Sequence, residues 1–193
     1  MARVISADGT SIAYQRDGSG PAVILIGGGL DDGSENAPLA EELAEHFTVY
    51  NFARRGRGDS GDSQPYGVQR EIEDIAALIE EAGGIGHLFG VSSGGLFALE
   101  AAAAGLAIGR IAVYEVPYDT ADDALQRAQE YREQLDEALA RGRRADAVGL
   151  FMRLAGSSEQ DVADAMNSPY WPGLEDLAHT LAYRRGPVRA ATD

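Results

Sequence analysis

Five residues, Gly90-Val91-Ser92-Ser93-Gly94, restrict what this chain can fold into more than any other segment. They join a short apolar run, Leu88-Phe89-Gly90-Val91, to a stretch from about Ser93 to Gly105 in which Leu96, Phe97, Leu99 and several alanines leave few polar positions. The first run predicts a buried strand and the second a helix buried on most sides. A strand that turns straight into a helix has no room for side chains flanking the turn, so glycines at 90 and 94 suit the junction. G-x-S-x-G in this setting predicts a nucleophile elbow. Ser92 Oγ then projects from the carboxyl edge of a sheet, above a helix N-terminus that favours a developing negative charge. The bland alternative is a glycine-eased strand–helix junction with a bystander serine.

The flanking segments alternate between strand and helix patterns. Ser11-Ile12-Ala13-Tyr14-Gln15 alternates like a half-buried strand, and Asp8-Gly9 just before it predicts a hairpin with residues 2–6. Ala22-Val23-Ile24-Leu25-Ile26 reads as a buried parallel strand running into Gly27-Gly28-Gly29. Residues 37–46 read as a helix with Pro38 in its first turn, Thr48-Val49-Tyr50-Asn51-Phe52 as a strand, and residues 56–67 as a loop. Residues 68–82 carry an amphipathic stripe through Val68, Ile72, Ile75, Ala76 and Ile79, and Ile111-Ala112-Val113-Tyr114 closes the series as a strand. Such alternation predicts an α/β fold, a predominantly parallel sheet with helices on both faces. After Pro117 the pattern is helical throughout, over residues 121–141, 144–155, 159–167 and 173–184, with Asp122 and Asp123 as candidate caps. The expected organisation is a core over residues 1–117, a helical cap or lid over 118–185 and an irregular tail over 186–193.

A serine nucleophile needs donors for an oxyanion and a base. The N–H of Ser93 is one expected donor, and the glycine loop supplies the other from Gly28 or Gly29, where the backbone can approach a substrate closely. A dinucleotide reading of the same loop fails because the third glycine of G-x-G-x-x-G falls on Asp32. Composition narrows the base. There is no cysteine, and all 16 basic residues are arginine, which removes a P-loop lysine, Schiff-base chemistry and a Ser-Lys pair. Only His46, His87 and His179 are left for base or metal work, and no cofactor or metal site is expected. A net charge of −15 argues against nucleic acid and anionic membranes as partners. No apolar run approaches the roughly 18 residues of a membrane span, and residues 1–6 lack a signal-peptide apolar region, so the expectation is a cytoplasmic protein.

Residues 1–117 resemble the N-terminal part of the core of the α/β-hydrolase family, in its serine-nucleophile branch. The resemblance rests on Asp8-Gly9-Thr10 with Ile12-Ala13-Tyr14, on Leu25-Ile26-Gly27-Gly28-Gly29, on Arg54-Arg55-Gly56-Arg57-Gly58-Asp59-Ser60 and on the elbow. The third segment is similar to a D-x-R-G-x-G-x-S loop, with Ala53 where an Asp is frequent. Residues 118–185 look like the helical cap many members insert. A Ser at the nucleophile position implies esters, thioesters or lactones of small molecules, cleaved by acylation and deacylation.

The resemblance also implies an order of Ser, then Asp or Glu, then His. Glu115, after the sixth strand, is a candidate acid. His179 is a candidate base, although its place on the face opposite Leu174, Leu177 and Leu181 suits a solvated histidine better. His87 is expected just before the fifth strand, at the end opposite Ser92, and His46 at a helix end. Arg54, Arg55 and Arg57 are expected to anchor their own loop. The family's last strands and their His-bearing loop have no counterpart here, so the expectation is a C-terminally incomplete, catalytically impaired hydrolase. The competing expectation is a non-catalytic binding module on the same fold. An uncovered sheet edge makes self-association a further expectation.

Overall fold

A computed structural model of the chain describes residues 1–183, so the expected tail from 186 and the end of the expected cap at 184–185 lie outside the described residues. The described residues divide into two compact units, Met1–Pro117 and Tyr118–Tyr183.

The first unit carries strands β1 (Ala2–Ile5), β2 (Ser11–Gly18), β3 (Ala22–Ile26), β4 (Thr48–Phe52), β5 (Gly86–Val91) and β6 (Ile108–Tyr114). Its helices are α1 (Ala37–Leu43), α2 (Val68–Glu81) and α3 (Ser93–Ala103). The strands form one sheet in the order β1-β2-β4-β3-β5-β6. β1 and β2 make the expected antiparallel hairpin, with Val4 opposite Ile12 and Gly9 at φ +86 in the turn. β2 also runs antiparallel to β4, and the pairs β4–β3, β3–β5 and β5–β6 are parallel.

The two-residue period of β3 explains why both faces are covered. Ile24 and Ile26 join Tyr50, Phe52 and Leu88 in a core closed by Ile75 and Leu78 of α2 and Phe97 and Ala98 of α3. Val23 and Leu25 face the other way, with Val49 and with Ala40 of α1. The α/β class with a mostly parallel sheet is what the alternating patterns predict.

Three elements differ from expectation. β6 begins at Ile108, because Gly109 and Arg110 break its apolar pattern while the backbone still pairs with β5 through a register shift. β5 begins at Gly86, so His87 lies inside the strand. α3 is buried on one face only: Leu96, Phe97, Ala98 and Ala101 are buried, whereas Leu99 and Glu100 are exposed. An alanine-rich helix hides its own periodicity, since alanine sits equally well inside and out.

The second unit carries α4 (Ala124–Ala140), α5 (Arg144–Leu154), α6 (Glu159–Met166) and α7 (Trp171–Leu177), followed by a 3₁₀ turn, Ala178–Ala182. Asp123 is the N-cap residue of α4, but its carboxylate makes no cap bond and lies 3.4 Å from Arg127 instead. α6 has a reciprocal capping box between Ser158 and Asp161. The helix expected over 173–184 ends early. The Thr180 hydroxyl donates to Leu177 O at 2.8 Å, competing with the helical pattern where the backbone tightens. Leu135, Ala138, Val148, Val162, Trp171 and Leu177 are buried in this unit. Among the described residues, no helix is long and apolar enough to cross a membrane.

Candidate active site

Ser92 sits between β5 and α3 at φ 51, ψ −121, a conformation that side chains avoid. It is pinned on both sides: its N–H donates to Tyr114 O at 2.9 Å, and its carbonyl accepts from Gly95 N at 3.0 Å. A Cβ on Gly90 would come within 2.5 Å of Gly94 O, and one on Gly94 would collide with the carbonyl oxygen of Ile26. Gly90 thus serves the turn itself, while Gly94 lets α3 pack against the end of β3. These contacts make the strand–turn–helix expected from the sequence.

The glycine loop runs beside Ser92. A Cβ on Gly28 would lie 3.6 Å from Ser92 Cβ, so the backbone of the loop approaches Ser92 closely. Behind the loop, the buried Asp31 carboxylate accepts from Gly33 N, Glu35 N and Asn36 Nδ2 at 2.7, 3.2 and 3.1 Å. Burial pushes the Asp31 carboxyl above its ordinary range despite these bonds. Glu35 is raised too, by burial and by the charges of Asp31 and Asp32.

The arginines do anchor their loop, and they also reach the glycines. Arg55 is fully buried and bonds Asp74 at 2.8 and 2.7 Å and Asp8 at 2.9 Å, tying the loop to α2 and to the hairpin. That hydrogen bond holds the Asp8 carboxyl well below the usual range. Arg57 donates to Gly29 O at 3.2 and 3.1 Å and to Arg55 O at 3.0 Å. Arg54 forms a bidentate pair with Glu71 at 3.0 and 2.6 Å and donates to Gly28 O at 3.0 Å and Ser93 Oγ at 3.2 Å. Burial alone would raise Glu71, but the Arg54 charge and hydrogen bonds outweigh it, so the carboxyl is lowered. The Tyr66 hydroxyl, which donates to Glu71 at 3.1 Å, is pushed up by burial beside that carboxylate.

Glu71 and Asp74 escape a reading of the sequence, where they look like solvated positions of an amphipathic helix. Both are buried. The available signal is a pair of acids three residues apart flanking the apolar stripe of α2, in a chain whose scarce cations include three arginines in one loop.

The remaining candidates are placed as follows. Glu115 directly follows β6, is exposed and has φ 50, next to the Tyr114 carbonyl that holds Ser92 N–H. His87 lies five residues before Ser92, about 16 Å along an extended strand. Its ring lies against Gly109. His46 is beside Gly20, ahead of β3, so both histidines of this unit sit at the amino edge of the sheet. Neither is hydrogen-bonded to Ser92 Oγ. In the second unit, His179 is exposed in the 3₁₀ turn, with Nδ1 2.9 Å from Asp176 O and its ring edge-on to Tyr183. Among the described residues, no cluster of His, Asp or Glu has the arrangement to hold a metal ion.

A mostly parallel sheet with a strained serine at a strand–helix elbow, beside a glycine-rich loop from a neighbouring strand, defines the class of scaffolds built to present a nucleophile. The chain belongs to the alpha/beta hydrolase family, whose model matches residues 23–192. It is 52% identical, with a TM-score of 0.89, to the crystal structure of an alpha/beta hydrolase from Sphaerobacter thermophilus DSM 20745, covering 94% of this chain and 71% of that one. It is 40% identical over 87 residues to a pimeloyl-[acyl-carrier protein] methyl ester esterase of Xanthomonas oryzae pv. oryzae (strain MAFF 311018), covering 45% of this chain and 33% of that protein. It is 31% identical over 100 residues to the uncharacterized hydrolase YraK of Bacillus subtilis (strain 168), covering 50% of this chain and 37% of that protein. These matches therefore span about a third of each curated relative.

Proposed function

We propose that the chain is a serine hydrolase scaffold for an ester, thioester or lactone of a small molecule, with Ser92 as nucleophile. The observation that carries this reading is the backbone of Ser92 at φ 51, ψ −121, since strain of this kind persists where surrounding structure over-determines it and clusters at active sites. Ser92 Oγ attacks the substrate carbonyl and the N–H groups of Gly28 or Gly29 and of Ser93 receive the oxyanion. The alcohol or thiol then leaves with a proton, and water hydrolyses the acyl-serine. The name of the Xanthomonas relative, a methyl ester esterase, supports esters within this range. Glu115 is the candidate acid and His179 the candidate base. Neither His46 nor His87 is bonded to Ser92, which leaves His179 as the histidine to test.

A serine-directed fluorophosphonate tests the nucleophile directly. Labelling of the wild type that vanishes in Ser92→Ala is the expected result. No labelling of the wild type overturns the reading and favours a non-catalytic binding module on the same sheet. His179→Ala is expected to abolish whatever ester hydrolysis the wild type shows, and an unchanged rate would remove His179 from the mechanism.

A further inference from the structure

Arg54 hydrogen-bonds both segments expected to donate to an oxyanion. Its Nε and Nη2 are committed to Glu71, while Nη1 donates to Gly28 O at 3.0 Å and to Ser93 Oγ at 3.2 Å, with Gly27 O at 3.4 Å. The guanidinium is held in turn. It stacks 4.4 Å over the Phe97 ring, and Glu71 also accepts from Tyr66. Arg54, Glu71 and Phe97 are all buried.

The direction of the loop's N–H groups follows from peptide geometry. In a trans peptide, each C=O points opposite to the N–H of the next residue. Holding Gly28 O on Arg54 therefore turns Gly29 N–H away from the buried guanidinium, and holding Gly27 O does the same for Gly28 N–H. Arg57 fixes the next peptide in the same sense through Gly29 O. Three consecutive glycines have no side chains to fix these peptides, so the two arginines supply the restraint. Through Ser93 Oγ, the same Nη1 also anchors the first residue of α3, whose N–H is the opposing donor. We propose that Arg54 is a positioning residue that sets the spacing between the Gly28/Gly29 donors and the Ser93 donor. This rests on the reading of Ser92 as a nucleophile.

Two variants and two readouts test it. Arg54→Met combined with Glu71→Met removes the ion pair as a unit, so neither partner is left as a lone buried charge. Arg54→Lys keeps a cation opposite Glu71 but lacks the fork that reaches both sides, and it serves if the double variant fails to fold. The first readout is the backbone ¹⁵N order parameter of Gly28 and Gly29. It is expected near 0.85 in the wild type and below about 0.6 in the double variant, with Ile24 and Ile26 unchanged. The second is fluorophosphonate labelling, whose maximal rate is expected to fall about 10-fold or more at an unchanged half-saturating concentration, with Arg54→Lys intermediate. Unchanged order parameters in both variants, or a loosened loop with undiminished labelling, overturn the proposal. If the wild type does not label, the nucleophile reading fails by itself, and the order parameters still decide whether Arg54 fixes the loop.

Discussion

Holding a serine at φ 51, ψ −121 costs about 1–3 kcal/mol relative to a relaxed backbone. The cost is tolerated because Tyr114 O, Gly95 N and the close approach of α3 to β3 leave the turn no alternative. Glycine adopts the same angles without penalty, at the expense of a more disordered unfolded chain. Ser92→Gly is therefore expected to unfold about 1 kcal/mol later than Ser92→Ala in urea, while neither variant accepts the fluorophosphonate. A Ser92→Gly variant less stable than Ser92→Ala by about 0.4–1 kcal/mol, the unfolded-chain cost of glycine alone, would mean that the elbow stores no strain. Ser92 was legible in the sequence because the elbow is a local device, with its glycines two residues to either side. Arg54 was not, because its partners at 28, 71 and 93 come from three separate segments, and only the fold brings them to one guanidinium.

At the scale of elements, the loop after β4 is a polar rivet. Arg55 joins it to α2 through Asp74 and to the β1–β2 hairpin through Asp8, in a site without solvent for Arg55 or Asp74. Breaking such a pair on one side is far costlier than never having it, because the orphaned charge stays buried. Arg55→Met is expected to lose about 3–5 kcal/mol, and adding Asp74→Leu to restore much of it. The pH dependence should steepen as well. In the wild type, the depressed Asp8 and Glu71 carboxyls contribute stability above their unfolded values near 4, lost as pH falls through their folded values. Burial already pushes the Asp74 carboxyl up to about 6 in the wild type, against the lowering by Arg55. In Arg55→Met, without that partner, it is raised further, so stability rises more steeply on acidification from pH 8 to about 5 than in the wild type. Urea midpoints that fall over that range in the variant would overturn this account. Period-2 and period-3.6 patterns located the strands and helices but not these rivets, for an ion pair leaves no periodic trace. The same limit hid the start of β6, where Gly109 and Arg110 are strand residues by pairing alone, and the break at Thr180.

At the scale of the whole molecule, the two edges of the sheet differ. β1 is four residues long, and its Arg3 guanidinium reaches across to Ser11 Oγ and Asp59 O, blunting the edge. β6 is seven residues long, about 23 Å of strand, and among the described residues nothing pairs with its outer side. Val113 and Tyr114 on it are 43% and 57% exposed, and Leu99 of α3 is exposed on the adjoining helix. An edge of this length, rimmed by apolar side chains, predicts pairing with a second copy of the chain. Against it stands the net charge of −15, which repels an identical partner over a distance set by the ionic strength. Raising salt screens the repulsion and leaves backbone pairing and apolar burial intact. Association should therefore strengthen with both protein concentration and salt, the reverse of an ion-pair interface. Light scattering is expected to show a mass above the 20.4 kDa of one chain, rising from about 0.02 M to about 0.5 M sodium chloride. Val113→Lys, which places a charge on the edge, should return the mass towards that of one chain. A monomer at every concentration and salt level, or a dimer indifferent to Val113→Lys, would show that β6 is not the surface that joins copies.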